Sequence, residues 1–336
     1  MLDRNKKLKF SYQLAFVTTC LAFIVVMLGA YTRLKDGGLG CPDWPGCYGH
    51  AFVPTQQTLA IEKNEQAQKQ PLEAPKAWAE MVHRYFAGGL SLAITVLFFL
   101  GILNFRILKK AFVLPLFLFI LLLFQAVLGM WTVTWLLYPA VVMSHLLGGM
   151  TIMALLWVYG LYVGGFARVS KGEKYRSWAV LGLIILIIQI ILGGWTSSNY
   201  AALACPDFPL CQGQWLPVLN FKEAFIDPLI FGPNYQGGLM DMQGRVTIQF
   251  LHRVWAIVTF FYLIALSFYL FFSRNKVLIL WATFISILIV LQFLLGILNV
   301  ILQLPLEIAV LHNAVAALLL LIVASLIFSL FCRDKT

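Results

Sequence analysis

The sequence predicts an all-α integral membrane protein, with eight transmembrane helices arranged as two parallel, pseudo-two-fold-related four-helix bundles. Three observations predict this. Apolar residues make up 61% of the 336 residues and charged residues only 11%, against roughly 25% charged in a soluble domain. The apolar residues gather into eight stretches of bilayer-spanning length, about 20 residues each. The second half of the chain also repeats the motifs of the first, in the same order.

The eight stretches are Phe10–Tyr31, Trp78–Leu103, Ala111–Val133, Pro139–Gly164, Ser177–Trp195, Thr247–Phe271, Val277–Ile301 and Leu306–Phe331. The first follows a basic segment, as a signal peptide would. It is too long for a signal core and has no small-x-small cleavage site, so it is expected to be a retained helix. The connections after the first and fifth stretches, about residues 33–77 and 196–246, are long.

Charge then orients the helices. Lys and Arg cluster on alternate connections: Arg4, Lys6, Lys7 and Lys9 before the first helix, Arg106, Lys109 and Lys110 between the second and third, Arg168, Lys171, Lys174 and Arg176 between the fourth and fifth, Arg274 and Lys276 between the sixth and seventh, and Arg333 and Lys335 at the end. The other connections are of mixed sign. By the positive-inside rule both termini are expected in the cytoplasm. The net charge of +10 reflects this topology and points to no nucleic acid.

The internal repeat divides the chain. Leu28-Gly29-Ala30-Tyr31-Thr32 leads to the loop Cys41-Pro42-Asp43-Trp44-Pro45-Gly46-Cys47, and Leu192-Gly193-Gly194-Trp195-Thr196 leads to Cys205-Pro206-Asp207-Phe208-Pro209-Leu210-Cys211, at a constant offset of 164. His83-Arg84 and His252-Arg253 follow. Gln125-x-x-Leu128-Gly129 then precedes His145, and Gln292-x-x-Leu295-Gly296 precedes His312, at an offset of 167. The expected domains are residues 1–172 and 173–336. Each half crosses the membrane an even number of times, so the halves are parallel, about an axis near the membrane normal.

Cys20 and Cys332 lie in or at the end of apolar helices and read as small buried hydrophobes. Cys41, Cys47, Cys205 and Cys211 fall in outer loops, where an oxidising compartment favours two intraloop disulfides. A redox role for these pairs is an alternative. A four-Cys zinc site is disfavoured, because neither pair has the short spacing of zinc knuckles.

Of five histidines, His50 lies in the first outer loop and is expected to be solvated. His83, His145, His252 and His312 each lie near the start of an even-numbered helix, at similar depth. Ionisable groups inside a membrane are costly and usually functional. One per even helix, repeated by half, points to axial ligation of heme iron by His83 with His145 and by His252 with His312. Other metals or a proton relay are the alternatives. Gly88, Gly89, Gly148 and Gly149, about one turn below, would let a flat macrocycle approach, although close helix packing explains them equally well. Arg84 and Arg253 could pair with heme propionates or simply reach the headgroups.

The halves differ in one informative place. Glu80 precedes His83 by three residues on nearly the same helix face, and Gln249 takes that place before His252. A carboxylate near the iron can relay protons or stabilise a developing cation, so catalysis is assigned to the N-terminal half and a permanent cofactor to the C-terminal half. The alternative leaves Glu80 as an interfacial residue touching water. Glu307 is expected to be interfacial.

Taken together, Gly29-Ala30-Tyr31-Thr32-Arg33, the Cys41–Cys47 loop, Glu80-x-x-His83-Arg84 and the histidines at 145, 252 and 312 resemble the heme A synthase family over nearly the whole length. The resemblance implies an enzyme that oxidises a porphyrin methyl group of heme O to a formyl group by successive hydroxylations, giving heme A for terminal oxidases. It implies a heme B cofactor on His252 and His312, and substrate heme O in the half with Glu80, His83 and His145. It also implies a heme O synthase and oxidase assembly factors as partners, an electron donor, and a bacterial inner (plasma) membrane location. Two histidines leave an iron no open position. Either one imidazole detaches, or oxidation runs by electron or radical transfer at the porphyrin edge. A bis-histidine two-heme electron carrier is the alternative function. A heme or metal transporter is a third, disfavoured by the few polar residues in the inner half of the spans.

Overall fold

A computed structural model of the chain describes residues 2–105, 112–166, 169, 172–225 and 233–331, and the side chains of residues 2–7 lie outside that description. Arg106, Lys109, Lys110, Ala111, Arg168, Lys171, Cys332, Arg333 and Lys335, on which part of the sequence reading rests, lie outside the described residues.

Eight long helices dominate: α1 (Leu2–Leu34), α2 (Ala74–Leu103), α3 (Val113–Thr134), α4 (Pro139–Gly164), α5 (Arg176–Ser198), α6 (Met242–Phe271), α7 (Lys276–Ile301) and α8 (Leu306–Phe331). All eight are long and apolar enough to cross a membrane. The described residues contain no strand, only isolated bridges between Cys47 and His50 and between Cys211 and Gln214. α1, α2 and α6 start several residues before their apolar stretches, and in the last two a local signal marks the start. In α2 a proline occupies the first turn, where its missing N–H costs nothing. In α6, Asp241 caps the end by accepting from the Gly244 N–H at 2.7 Å.

Inside the spans hydroxyls return their donors to the helix backbone, Thr19 to the Ala15 carbonyl at 2.8 Å and Ser329 to that of Ser325 at 2.8 Å. A bilayer offers them no water, so this local bond replaces it. Cys20 is exposed and not buried as expected. Phe16, Val17 and Ile24, within about a turn of it, are exposed too. In a bilayer an outward apolar stripe meets lipid, so a small hydrophobe gains nothing by facing inward.

The helices pack in two rings. In the first, α1 packs on α2 and α4, and α3 packs on α2 and α4. In the second, α5 packs on α6 and α8, and α7 packs on α6 and α8. The histidine-bearing helices α2 and α4, and α6 and α8, therefore stand at opposite corners. The rings meet where α1 packs on α8, α4 on α5, and α4 on α8. One core runs through both, from Ala15, Ala22 and Met153 to Ala282, Leu319 and Leu326. Two residues near the C-terminal end of α1 touch the residues that match them in the repeat. Arg33 donates to the Ser197 carbonyl at 2.5 Å, and Asp36 accepts from the Tyr200 hydroxyl at 2.7 Å.

The long connections close over one end. Residues 35–73 include short helices Gln56–Ile61 and Glu65–Lys69, and Phe221–Phe225 lies in the second connection. The turns before α4 and α8 belong to the same layer. Tyr235 N–H donates to the Leu136 carbonyl at 2.9 Å, and the Gln303 amide donates to the Pro206 carbonyl at 3.1 Å. All four histidine-bearing helices thus start at the end that carries the cysteine loops.

Across the seam the Trp157 indole donates to Ser325 Oγ at 2.7 Å. Trp157→Phe removes that bond while Ser325 keeps its bond to the Leu321 carbonyl. The expected loss is about 0.6–1 kcal/mol, read as a lower melting temperature in detergent. An unchanged melting temperature would show that this bond contributes nothing across the seam.

Candidate functional site

Each of the four helix-borne histidines is seated against a glycine of the long helix before it. A Cβ added at Gly29 on α1 would lie 2.9 Å from His83 Cε1, and one at Gly129 on α3 would lie 3.1 Å from His145 Cε1. The second half repeats this, with Gly193 on α5 against His252 at 3.1 Å and Gly296 on α7 against His312 at 3.3 Å. At these distances an added methyl group would force the imidazole to move. These glycines stand in the repeated motifs, but in an apolar helix such a residue reads as helix packing, and the sequence singled out Gly88, Gly89, Gly148 and Gly149 instead. Added Cβ atoms at Gly88 and Gly89 would meet nothing within 4 Å, and Gly148 gives room to the Gln125 amide.

A turn before three of the glycines stands a glutamine aimed at the histidine. The Gln125 amide donates to the His145 carbonyl at 2.5 Å. The Gln189 amide nitrogen lies 3.3 Å from both His252 Nδ1 and the His252 carbonyl, and that of Gln292 lies 3.1 Å from His312 Nε2. The matching residue on α1 is Val25.

The imidazoles of His83 and His145 face each other, ring centres 6.4 Å apart and planes at 83°. With a metal–nitrogen bond of about 2 Å and a ring centre roughly 1 Å behind the ligating atom, two axial imidazoles place their centres about 6 Å apart. Nδ1 of His83, His145 and His312 is buried without a hydrogen-bond partner. Among the described residues no group of three His, Cys, Asp or Glu side chains converges as a metal cage. The donor set therefore fits an ion that brings its own equatorial ligands, as a heme does.

Both cysteine loops have one design. Disulfides join Cys41 to Cys47 and Cys205 to Cys211. Asp43 accepts from the N–H groups of Tyr48 at 2.6 Å and Gly49 at 2.7 Å, and Asp207 from those of Gln212 and Gly213 at 2.7 Å each. The second residue of each turn is glycine at positive φ, 80° at Gly49 and 75° at Gly213. His50 is solvated as expected, with a third of its side chain exposed and its Nε2 3.0 Å from Glu62 Oε2. Glu307 is exposed.

The loops are tied down by the arginines that follow the histidines. Arg84 donates to the carbonyls of Asp43 at 3.0 Å and Gly46 at 2.5 Å, and ion-pairs with Glu80. Arg253 donates to the carbonyls of Asp207 at 2.8 Å and Leu210 at 2.9 Å, and to that of Cys205.

Glu80 is only 4% exposed, which removes the reading of it as a residue in contact with water. Its second oxygen accepts from the Cys41 N–H at 2.9 Å. Gly40 makes this possible, because a Cβ there would meet the α2 backbone at Lys76–Ala77. Gln249, the counterpart of Glu80, is buried with its Oε1 unpartnered. The carboxylate is thus confined to the half of His83 and His145.

A membrane bundle with two histidine-bearing helices at opposite corners of each ring, the first pair of imidazoles standing 6.4 Å apart with a buried, unpartnered nitrogen on each, is the class this geometry defines. The chain belongs to the COX15-CtaA family, described as cytochrome oxidase assembly protein, whose model matches residues 12–324. It is 45% identical over 323 residues to a heme A synthase of Shewanella oneidensis, covering 95% of this chain and 96% of that one. It is 26% identical to a heme A synthase of Neorickettsia sennetsu, covering 91% and 95%, and 26% identical to one of Bacillus cereus, covering 91% and 88%.

Two outcomes test the geometry. Gly193→Ala would press a methyl group against His252, shifting that imidazole and destabilising the fold by about 1–3 kcal/mol; if His252 ligates a heme, low-spin heme absorption should fall. Unchanged absorption would contradict the seating. The N–H groups of Gly213 and then Gln212 hold the Asp207 carboxyl below the ordinary carboxylate range. A depressed folded-state value gives stability that is present at neutral pH and is lost only as pH falls through that value. Asp207→Asn should therefore speed reductive labelling of Cys205 and Cys211 at neutral pH, and an equal labelling rate would show that the carboxylate does not hold the loop.

Proposed function

We propose that the chain is a heme A synthase, which oxidises a porphyrin methyl group of heme O to a formyl group by successive hydroxylations and loss of water. The observation that carries this reading is the Glu80 carboxylate, buried three residues before His83, against an amide at the same place in the other half. Residues 1–172 are then the catalytic, substrate-binding half, with His83 and His145 facing heme O. Residues 173–336 hold heme B on His252 and His312. The matched contacts of Arg33 with Ser197 and Asp36 with Tyr200 support a pseudo-two-fold axis between the halves.

Heme B, when bound, supplies one-electron redox chemistry. The residues supply the rest. Glycines and glutamines fix where the imidazoles stand. Arg84 and Arg253 hold the disulfide loops to the histidine-bearing helices, and the Nε–H of Arg253, buried and unpartnered, would be a donor for a propionate. Glu80 takes a proton or faces positive charge developing at the methyl carbon. The positive-inside pattern supports a bacterial inner membrane with cytoplasmic termini and the cysteine loops outside. A heme O synthase and oxidase assembly factors are the expected partners, and an electron donor is required.

Expression in a host that makes heme O but no heme A tests this reading, with extracted hemes identified by mass spectrometry. Heme A or a hydroxylated heme O is the expected product. Reversible reduction of two unmodified hemes would instead support the two-heme carrier. Glu80→Gln should fold and keep its hemes, since Gln249 already occupies the equivalent buried position, and should accumulate unreacted or partly oxidised heme O, with heme A down by about 10²-fold or more. Full heme A yield would remove Glu80 from the chemistry.

A further inference from the structure

Arg33 ends α1 four residues beyond Gly29, the glycine behind His83, so it lies one turn nearer the loops on almost the same helix face. It is a cation held in an unusual way. Its NH2 group donates to the Ser197 carbonyl of the other half at 2.5 Å, and its guanidinium carbon lies 3.9 Å from the centre of the Tyr200 ring. Its Nε is buried and has no hydrogen-bond partner. Among the described residues no carboxylate forms an ion pair with it. Asp36, three residues on, has both oxygens taken by neutral donors, the Tyr200 hydroxyl at 2.7 Å and the Gln236 amide at 2.8 Å. Burial pushes the Tyr200 phenol above its ordinary range, so it remains a donor to Asp36.

A guanidinium pinned by a carbonyl and an aromatic face, with a buried N–H unmet, is a receptor short of its anion. A planar carboxylate is the anion its donors match. The repeat places Ser197 where Arg33 stands, so the C-terminal half has no equivalent cation. The feature therefore belongs to the half that carries Glu80.

We propose that Arg33, backed by Tyr200, is a carboxylate-binding subsite that takes a propionate of the porphyrin lying between His83 and His145. This rests on the proposed placement of the substrate heme in that half. Two axial imidazoles leave a porphyrin free to turn about the axis that joins them. A carboxylate anchored at Arg33 stops that rotation and presents one edge, and so one methyl group, to Glu80. Arg84 cannot serve this purpose in the same way, because its donors hold Glu80 and the loop carbonyls. The C-terminal half contributes Tyr200 and Ser197 to a substrate site in the N-terminal half.

The test uses the purified full-length chain, titrated with ferric heme B and with its dimethyl ester, in which both carboxylates are masked. Binding that disappears in His83→Ala reports the N-terminal pair, and heme absorption that disappears in His252→Ala serves as the control for folding. Wild type should bind the free acid more tightly than the ester at the His83-dependent site. Arg33→Gln should lose about tenfold in affinity for the acid and almost none for the ester, and Arg33→Lys should fall between. Equal affinity of wild type and Arg33→Gln for the acid would overturn the subsite. So would an equal loss for acid and ester, which would mark Arg33 as a structural tie between the halves. If neither probe responds to His83→Ala, the placement of substrate heme fails and the subsite falls with it. Dependence on His83 without dependence on Arg33 leaves the placement standing and removes the subsite alone.

Discussion

The contact on which the rest depends is an imidazole laid against a glycine of the preceding helix. It occurs four times, at Gly29, Gly129, Gly193 and Gly296. Each contact fixes where one ring can stand and how closely two helices approach. The histidine-bearing helices occupy opposite corners of each ring, and the seating of His83 and His145 turns their imidazoles toward one another. In the first half this gives the 6.4 Å separation that suits an ion between two rings. In a bilayer, where apolar side chains gain little by leaving lipid for protein, close backbone approach at small residues is the main source of helix association. The same glycines therefore serve both packing and site.

The cysteine loops form a second layer over these seats. Each is closed by a disulfide, braced by an aspartate and bound by the arginine next to a histidine, so loop and site are mechanically one unit. Three of the differences between the halves fall near His83. Glu80 replaces an amide, Val25 replaces a glutamine, and Arg33 replaces a serine. A duplicated scaffold has kept its seats and changed the groups around one of them. This is the pattern expected when one copy holds a cofactor and the other performs a reaction.

Much of this was legible in the sequence. Hydropathy located all eight helices, and the repeat paired His83 with His252 and His145 with His312. What stayed hidden follows from the solvent and from tertiary contact. Cys20 was misplaced because lipid accepts apolar residues on any face, so an apolar helix carries no pattern that separates inside from outside. The seats at Gly29 and Gly129 stood inside the repeated motifs but could not be distinguished from ordinary packing glycines. The grip of Arg84 and Arg253 on loop carbonyls depends on how a loop some 40 residues away folds back, which no local signal encodes.

The central claim is that the four histidines act as two separate heme-binding pairs. The direct measurement is heme content and low-spin bis-imidazole signature of the purified chain, for wild type and for alanine at each histidine. The account predicts that His252→Ala and His312→Ala lose the resident heme while the N-terminal pair still binds added heme. It predicts that His83→Ala and His145→Ala do the reverse. Loss of both hemes from any single substitution, or of neither, would contradict it.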